Sequence, residues 1–237
     1  MSGARYREIV AAVWAQGPDD GAHDLGHLAR VWANAKAIAA EEAARGIAAD
    51  MTVLEAAVWF HDLVNLPKDH PDRARASTLS AEAAVGILQA EGFDPARLPA
   101  VAHAIAAHSF SAGIAPQPPE ARILQDADRL EALGAVGLAR MFMVAGAMGR
   151  AIADPEDPLA RNRPLDDRAF ALDHLETKLF RLPALMQTPA GRRLAEERAD
   201  WLRGFRDQLL REMGQVPGAP PRSASRTRRE GAPAKSA

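Results

Sequence analysis

The sequence predicts an all-α fold, and three observations carry that expectation. Apolar residues recur every three to four positions along nearly the whole chain, the spacing that gives a helix one buried face. Alternating β-branched runs and Asn-Gly turns, the marks of strands and hairpins, are absent. Alanine is abundant and aromatic residues make up only 5%, which suits close helix–helix packing better than a β-sandwich core. A chain of 237 residues is long enough for one large core or two small ones. We expect a bundle of about eight to ten helices forming one domain over residues 1–213, with a separate tail at 214–237.

The first helix is read from Tyr6, Ile9, Val10, Val13 and Trp14, and Gly17-Pro18 stops it. A second pattern runs through Leu28, Val31, Trp32, Ala35, Ile38 and Ala39 until Gly46. The third starts after Asp50, whose carboxylate can take the free N–H groups of a helix start, and is expected to end near Asn65-Leu66-Pro67. Beyond a polar loop at 67–76, the spacing predicts helices over 77–91, 95–108, 119–130 and 133–150. Gly92 and Pro95 separate the first two of these, and Pro116-Gln117-Pro118-Pro119 precedes the third. A loop from Asp154 to Pro164 leads to Asp166, another capping residue, and helices over 167–181 and 187–213 complete the domain. Met141, Met143 and Met148 read as core filling. From Gly214 onward Pro, Gly, Ser and Arg dominate. Such a composition buries too little apolar area to offset the entropy of ordering, so the tail is expected to be disordered.

The net charge of −2 is unevenly spread. The tail holds five cations (Arg222, Arg226, Arg228, Arg229, Lys235) and one anion (Glu230), which leaves the body at −6. An acidic body argues against duplex nucleic acid as the main partner. No apolar run reaches the length of about 18 residues that a membrane span requires. The stretch Met1 to Glu8 lacks the apolar centre of a signal peptide. With no cysteine there is neither a disulfide framework nor a thiolate zinc site, and a cytoplasmic address is expected.

Chemistry concentrates at His61-Asp62. The pair ends the apolar stretch Val53 to Phe60, where an imidazole and a carboxylate are costly unless something coordinates them. With His27 upstream and Asp128 downstream, the donors suit a divalent ion of intermediate hardness and point to metal-dependent hydrolysis. A helix through Asp24-Leu25-Gly26-His27 places His27, Arg30 and Asn34 on one side. Taken singly, each residue is unspecific: a histidine can cap a helix or lie exposed, and Asp128 can pair with Arg129 or Arg122. Together they are stronger, because each sits within an apolar helical stretch. Lys68, Arg73 and Arg75 follow the pair in a basic loop, which reads either as an ordinary solvated loop or as a clamp for phosphate.

His27, then His61-Asp62, then Asp128 match the H…HD…D pattern, and on these residues the chain resembles the HD-domain phosphohydrolase superfamily. Local stretches are similar to a bacterial subgroup of HD hydrolases: Asp24-x-x-His27-x-x-Arg30-Val31, Phe60-His61-Asp62, Ala107-His108-Ser109-Phe110-Ser111, Ile123 to Gly134 and Arg163-Pro164-Leu165-Asp166-Asp167. The resemblance spans residues 5–212. It implies a helical HD fold with one divalent ion (Mn²⁺, Co²⁺, Ni²⁺ or Mg²⁺) held by His27, His61, Asp62 and Asp128. It implies catalytic roles for Asp62 and for His108, which would orient water or protonate the leaving group. Arg30, Lys68 and Arg73 are then the expected phosphate contacts. A binuclear variant would place an extra histidine soon after the pair, but His70 lies in a proline-flanked polar loop and His103 on a different helical face from His108.

The activity this implies is hydrolysis of a phosphoester or pyrophosphate bond in a small phosphorylated metabolite, with a nucleotide as the expected substrate. Two alternatives stay open. One is a di-iron oxygenase on the same fold, which would need further histidines bridging two irons. The other is a non-catalytic nucleotide-sensing domain, against which the intact four-residue set argues.

Overall fold

The computed structural model describes residues 2–15, 24–64, 66 and 70–215. Among the described residues there are nine α-helices and no strand: α1 (Gly3–Trp14), α2 (Leu25–Ala44), α3 (Met51–Phe60), α4 (Ala76–Ala90), α5 (Leu98–His108), α6 (Pro119–Arg129), α7 (Gly134–Ala147), α8 (Asp173–Thr177) and α9 (Pro189–Glu212). The expected all-α bundle is what forms. Short 3-10 turns at Arg73–Arg75, Phe110–Ala112, Leu130–Ala132 and Leu179–Leu185 connect the helices. No single helix among these residues is long and apolar enough to cross a membrane. Lys68 and the tail beyond Gln215 lie outside the described residues.

α3 is the centre of the bundle. Val53, Leu54, Ala56, Ala57, Val58, Trp59 and Phe60 are all buried, so beyond its exposed first two residues the helix is covered on nearly every side, chiefly by α1, α2, α5 and α6, with Glu55 partly exposed. Asp50 starts it by accepting from the Thr52 and Val53 N–H groups, and Arg97 Nε holds the same carboxylate at 2.7 Å. Each fully buried aliphatic side chain here, Leu54 or Leu124 for instance, contributes about 1.5–3 kcal/mol. α9 closes the bundle against α2, α6 and α7. Its start is fastened by buried Asp126 on α6, which accepts from the Gln187 N–H, the Thr188 N–H and the Thr188 hydroxyl at 2.8, 2.8 and 2.7 Å. Gly191 faces that carboxylate so closely that a Cβ would collide with it.

Three expectations are corrected. α3 ends at Phe60 rather than near Asn65, because the His61 ring donates from Nδ1 to the Val58 carbonyl (2.7 Å), the acceptor that the Asp62 N–H would take in a continuing helix. The helix expected over 167–181 shrinks to the five residues of α8. Residues 171 and 172 donate instead to Ala151 and Ile152, and Pro183 sits inside the 3-10 turn that follows. Of the three methionines expected in the core, only Met141 is buried; Met143 on α7 and Met148, just past its end, are exposed.

A candidate metal centre where helix ends meet

Four helix ends converge on one point. His27 lies in the first turn of α2, where its main-chain N–H also donates to the Asp24 capping carboxylate at 2.6 Å. His61 and Asp62 follow the last residue of α3, His108 is the last residue of α5, and Asp128 lies in the last turn of α6. Three of these ends are C-terminal, and the dipole of a helix C-terminus favours positive charge. The sequence therefore folds so that two carboxylates and three carbonyl-rich helix ends face one small volume.

The distances are those of a cluster. His27 Nε2 stands 3.7 Å from Asp62 Oδ2 and 3.5 Å from Asp128 Oδ1. His61 Nε2 stands 3.3 Å from Asp62 Oδ2 and 3.9 Å from Asp128 Oδ1. His108 Nε2 is 3.4 Å from Asp62 Oδ1. Two overlapping groups have their donor atoms within 4.8 Å of one another: His27, His61 and Asp128, and His61, Asp62 and His108. Such groups could hold a metal ion, and His61 belongs to both.

The imidazoles are prepared for that use. His61 and His108 each place Nδ1 against a carbonyl three residues back, Val58 O at 2.7 Å and Ile105 O at 2.6 Å. A carbonyl only accepts, so Nδ1 carries the proton in both rings and Nε2 of the neutral ring offers its lone pair to the centre. His61 Nε2 is buried and makes no hydrogen bond among the described residues. A buried lone pair left this way costs free energy, and a bound cation would remove that cost. The residues therefore fit a divalent ion.

Charge in the cluster is strongly coupled. Burial works against charging His27, but Asp62, Glu131 and Asp128 outweigh it and push the imidazole up to about 9. Burial would raise Asp62, yet His61, His108 and His27 together hold its carboxyl well below the usual range. His108 is raised in the same way, mainly by Asp62 acting against its own burial.

Glu131, which the sequence did not single out, stands directly behind His27. Its Oε2 is 3.6 Å from His27 Nδ1 and accepts Arg30 Nε at 2.7 Å. Arg30 thus reaches the site region through Glu131, with its side chain half exposed. Asn34 shares this side of α2, as its spacing implied, donating to Ala127 O at 3.2 Å while accepting Arg198 Nη2 at 2.7 Å. Arg73 is half-buried and donates to Leu66 O at 2.5 Å; its 3-10 turn packs against the turn that follows His108. Arg75 lies mostly exposed beside Asp72. His70, His103 and His174 join neither donor group: they meet the Asp72 N–H, the Gln117 N–H and the Asp167 carboxylate.

The HD domain family matches residues 24–133, a span that holds every member of the cluster and Glu131. The chain belongs to the HD-domain phosphohydrolase superfamily. YpgQ of Bacillus subtilis, a protein described as uncharacterized, is 34% identical over 200 residues, 83% of this chain and 85% of YpgQ. The crystal structure of YpgQ in complex with ADP superposes with a TM-score of 0.66 at 31% identity, covering 91% of this chain and 95% of that one. An HD-superfamily hydrolase from Bacillus thuringiensis gives 0.68 at 27% identity, over 90% of this chain and 96% of that one.

Proposed function

We propose that this protein is a metal-dependent phosphohydrolase that cleaves a phosphoester or pyrophosphate bond in a small phosphorylated metabolite, with a nucleotide as substrate. The observation that carries the reading is the convergence of His27, His61, Asp62 and Asp128, with His61 Nε2 buried and aimed into the cluster. These four side chains would hold one divalent ion; their two nitrogens and two oxygens suit Mn²⁺, Co²⁺, Ni²⁺ or Mg²⁺. Such an ion supplies a polarised phosphoryl oxygen and a water of lowered pKa. The complex of YpgQ with ADP supports a nucleotide as the ligand class.

The chain's own groups do the remaining work. Asp62, kept ionised by three imidazoles, orients a water through the carboxylate that His108 also faces. When His108 takes up a second proton it would sit at Nε2, because Nδ1 already donates to Ile105 O, and Asp62, against the ring's burial, raises the affinity for it. That proton is placed for the leaving-group oxygen. Lys68 and Arg73 would meet the phosphate oxygens, and Arg30 would offer its terminal nitrogens while Nε stays on Glu131. Residues 1–213 would form the catalytic domain, and the basic tail from 214 would add no group to it.

The test is a panel of nucleotides and other phosphorylated metabolites, assayed for phosphate and pyrophosphate release with each of the four ions. Asp62→Ala serves as the blank. Turnover of a nucleotide by the wild type and none by the variant is expected. Absence of turnover with every ion and substrate would remove the reading.

A further inference from the structure

The three imidazoles of the cluster are not held in the same way. His61 and His108 are each fixed by a main-chain carbonyl of their own helix, Val58 O and Ile105 O. His27 lies at a helix start, where no carbonyl three residues back within the helix is available. What faces its Nδ1 is the carboxylate of Glu131, at 3.6 Å, and Glu131 is itself only 3% exposed. We propose that Glu131 is the positioning residue for His27: its carboxylate faces Nδ1 from 3.6 Å, and with an ion bound it would accept a hydrogen bond from the Nδ1 proton, turn Nε2 into the cluster and make that nitrogen a stronger donor to a divalent ion.

A carboxylate behind a ligating histidine both fixes the tautomer and raises the basicity of the ligating nitrogen. The surroundings of Glu131 show it braced for such a task. Oε2, the oxygen nearest His27, also accepts Arg30 Nε at 2.7 Å, and Oε1 faces Asn34 Nδ2 at 3.5 Å. Asn34 is held in turn by Arg198, whose other terminal nitrogen donates to Leu130 O at 2.7 Å. Arg198 on α9, Asn34 on α2 and Glu131 after α6 thus form one polar chain ending at His27. Glu131 follows Asp128 by three residues, so a single stretch of chain supplies a ligand to the cluster and the brace for a second one. The proposal rests on the reading of the cluster as a metal site, not on the identity of the substrate.

The experiment measures Mn²⁺ binding by titration calorimetry on the full chain, for the wild type and for Glu131→Gln and Glu131→Asp. Glutamine keeps the shape and loses the charge; aspartate keeps the charge and withdraws it by one methylene. Affinity should fall about 10- to 100-fold in Glu131→Gln and by less in Glu131→Asp. A merely structural Glu131 would lower the thermal midpoint of the metal-free protein and leave the Mn²⁺ affinity of the folded fraction unchanged, which would overturn the proposal. A second measurement needs no variant: nitrogen NMR of the wild type loaded with diamagnetic Mg²⁺ should show the His27 proton on Nδ1. A proton on Nε2 would overturn it equally. A wild type that binds Mn²⁺ but hydrolyses neither phosphoester nor pyrophosphate bonds would defeat the proposed function alone, whereas one that binds no divalent ion would defeat both.

Discussion

The cluster at the helix ends and the segment between α7 and α9 both gather charged side chains, but they do so at different distances. In the C-terminal segment opposite charges close onto each other. Asp173, almost fully buried, accepts Arg163 through two bonds of 2.6 and 2.9 Å and the Asp166 N–H at 2.7 Å, while Arg163 also covers the Phe170 ring. Arg206 meets Glu176 at 2.7 Å and His174 meets Asp167 at 2.9 Å. In the cluster the imidazole nitrogens and carboxylate oxygens stop at 3.3–3.9 Å. Ligand atoms at right angles around an ion about 2.1 Å away lie about 3 Å apart, so the cluster's wider spacing leaves space for a cation between its donors where the closed pairs do not. One region carries its own counter-charges, and the other leaves room for a charge from outside.

The largest effect that can break this contrast is in the cluster. Asp128→Ala should leave the helical content intact and lower kcat/KM by more than about 100-fold, beyond what residues behind metal ligands usually cost. Steady-state kinetics beside circular dichroism decides it, and near-normal turnover would make Asp128 an ordinary surface carboxylate.

The reciprocal change belongs to the C-terminal segment. Asp173→Ala removes the buried counter-charge of Arg163 and should cost about 3 kcal/mol, at the low end for a buried pair because Arg163 keeps Asp154 at 3.7 Å and some contact with solvent. Metal bound per folded chain should not change. Urea unfolding and metal analysis of the same samples measure both, and loss of metal would tie the two regions together.

A smaller effect is expected where substrate would be held. Lys68→Ala and Arg73→Ala should each lower kcat/KM about tenfold to a hundredfold with metal content retained, as removal of one charged phosphate contact implies. Wild-type kinetics in both would return the loop to a solvated turn.

The smallest sits at the start of α3. Arg97 holds the Asp50 carboxyl below its ordinary value, with the Val53 and Thr52 N–H groups adding to it. Because the folded value is depressed, this stabilisation is present above the unfolded value near 4 and disappears as pH falls through the folded one. Asp50→Asn should therefore cost under about 1 kcal/mol at pH 7, given how exposed the pair is, and the gap to wild type should narrow at pH 3. Denaturant midpoints at the two pH values test the sign.

The pair His61-Asp62 is legible for a physical reason, because it closes an apolar helical stretch where polar groups need a purpose; His27 and Asp128 are legible through the resemblance to the H…HD…D pattern. Glu131 was harder to see, because in Asp126-Ala127-Asp128-Arg129-Leu130-Glu131 a glutamate looks like one more member of a charged run. Only the crossing of α2 and the turn at Leu130–Ala132 shows which side chain it meets. The distance from His108 to Asp62 was hidden likewise, since helical periodicity fixes a face and not a neighbour. The helix expected over 167–181 failed where a non-local contact won: Asp166 offered a capping signal, but residues 169–172 bond to 151 and 152 across the chain. Apolar spacing cannot register that competition.

The central claim is that the cluster takes one cation through the nitrogens and carboxylates aimed at it. Equilibrium titration of the metal-free protein with Mn²⁺, read as ions bound per chain, tests it most directly, with His61→Ala as the comparison. Binding of about one ion by the wild type and loss of that ion in His61→Ala is the expected result, since His61 Nε2 is the buried donor common to both groups. Binding that survives His61→Ala unchanged, or no binding by the wild type, would contradict it.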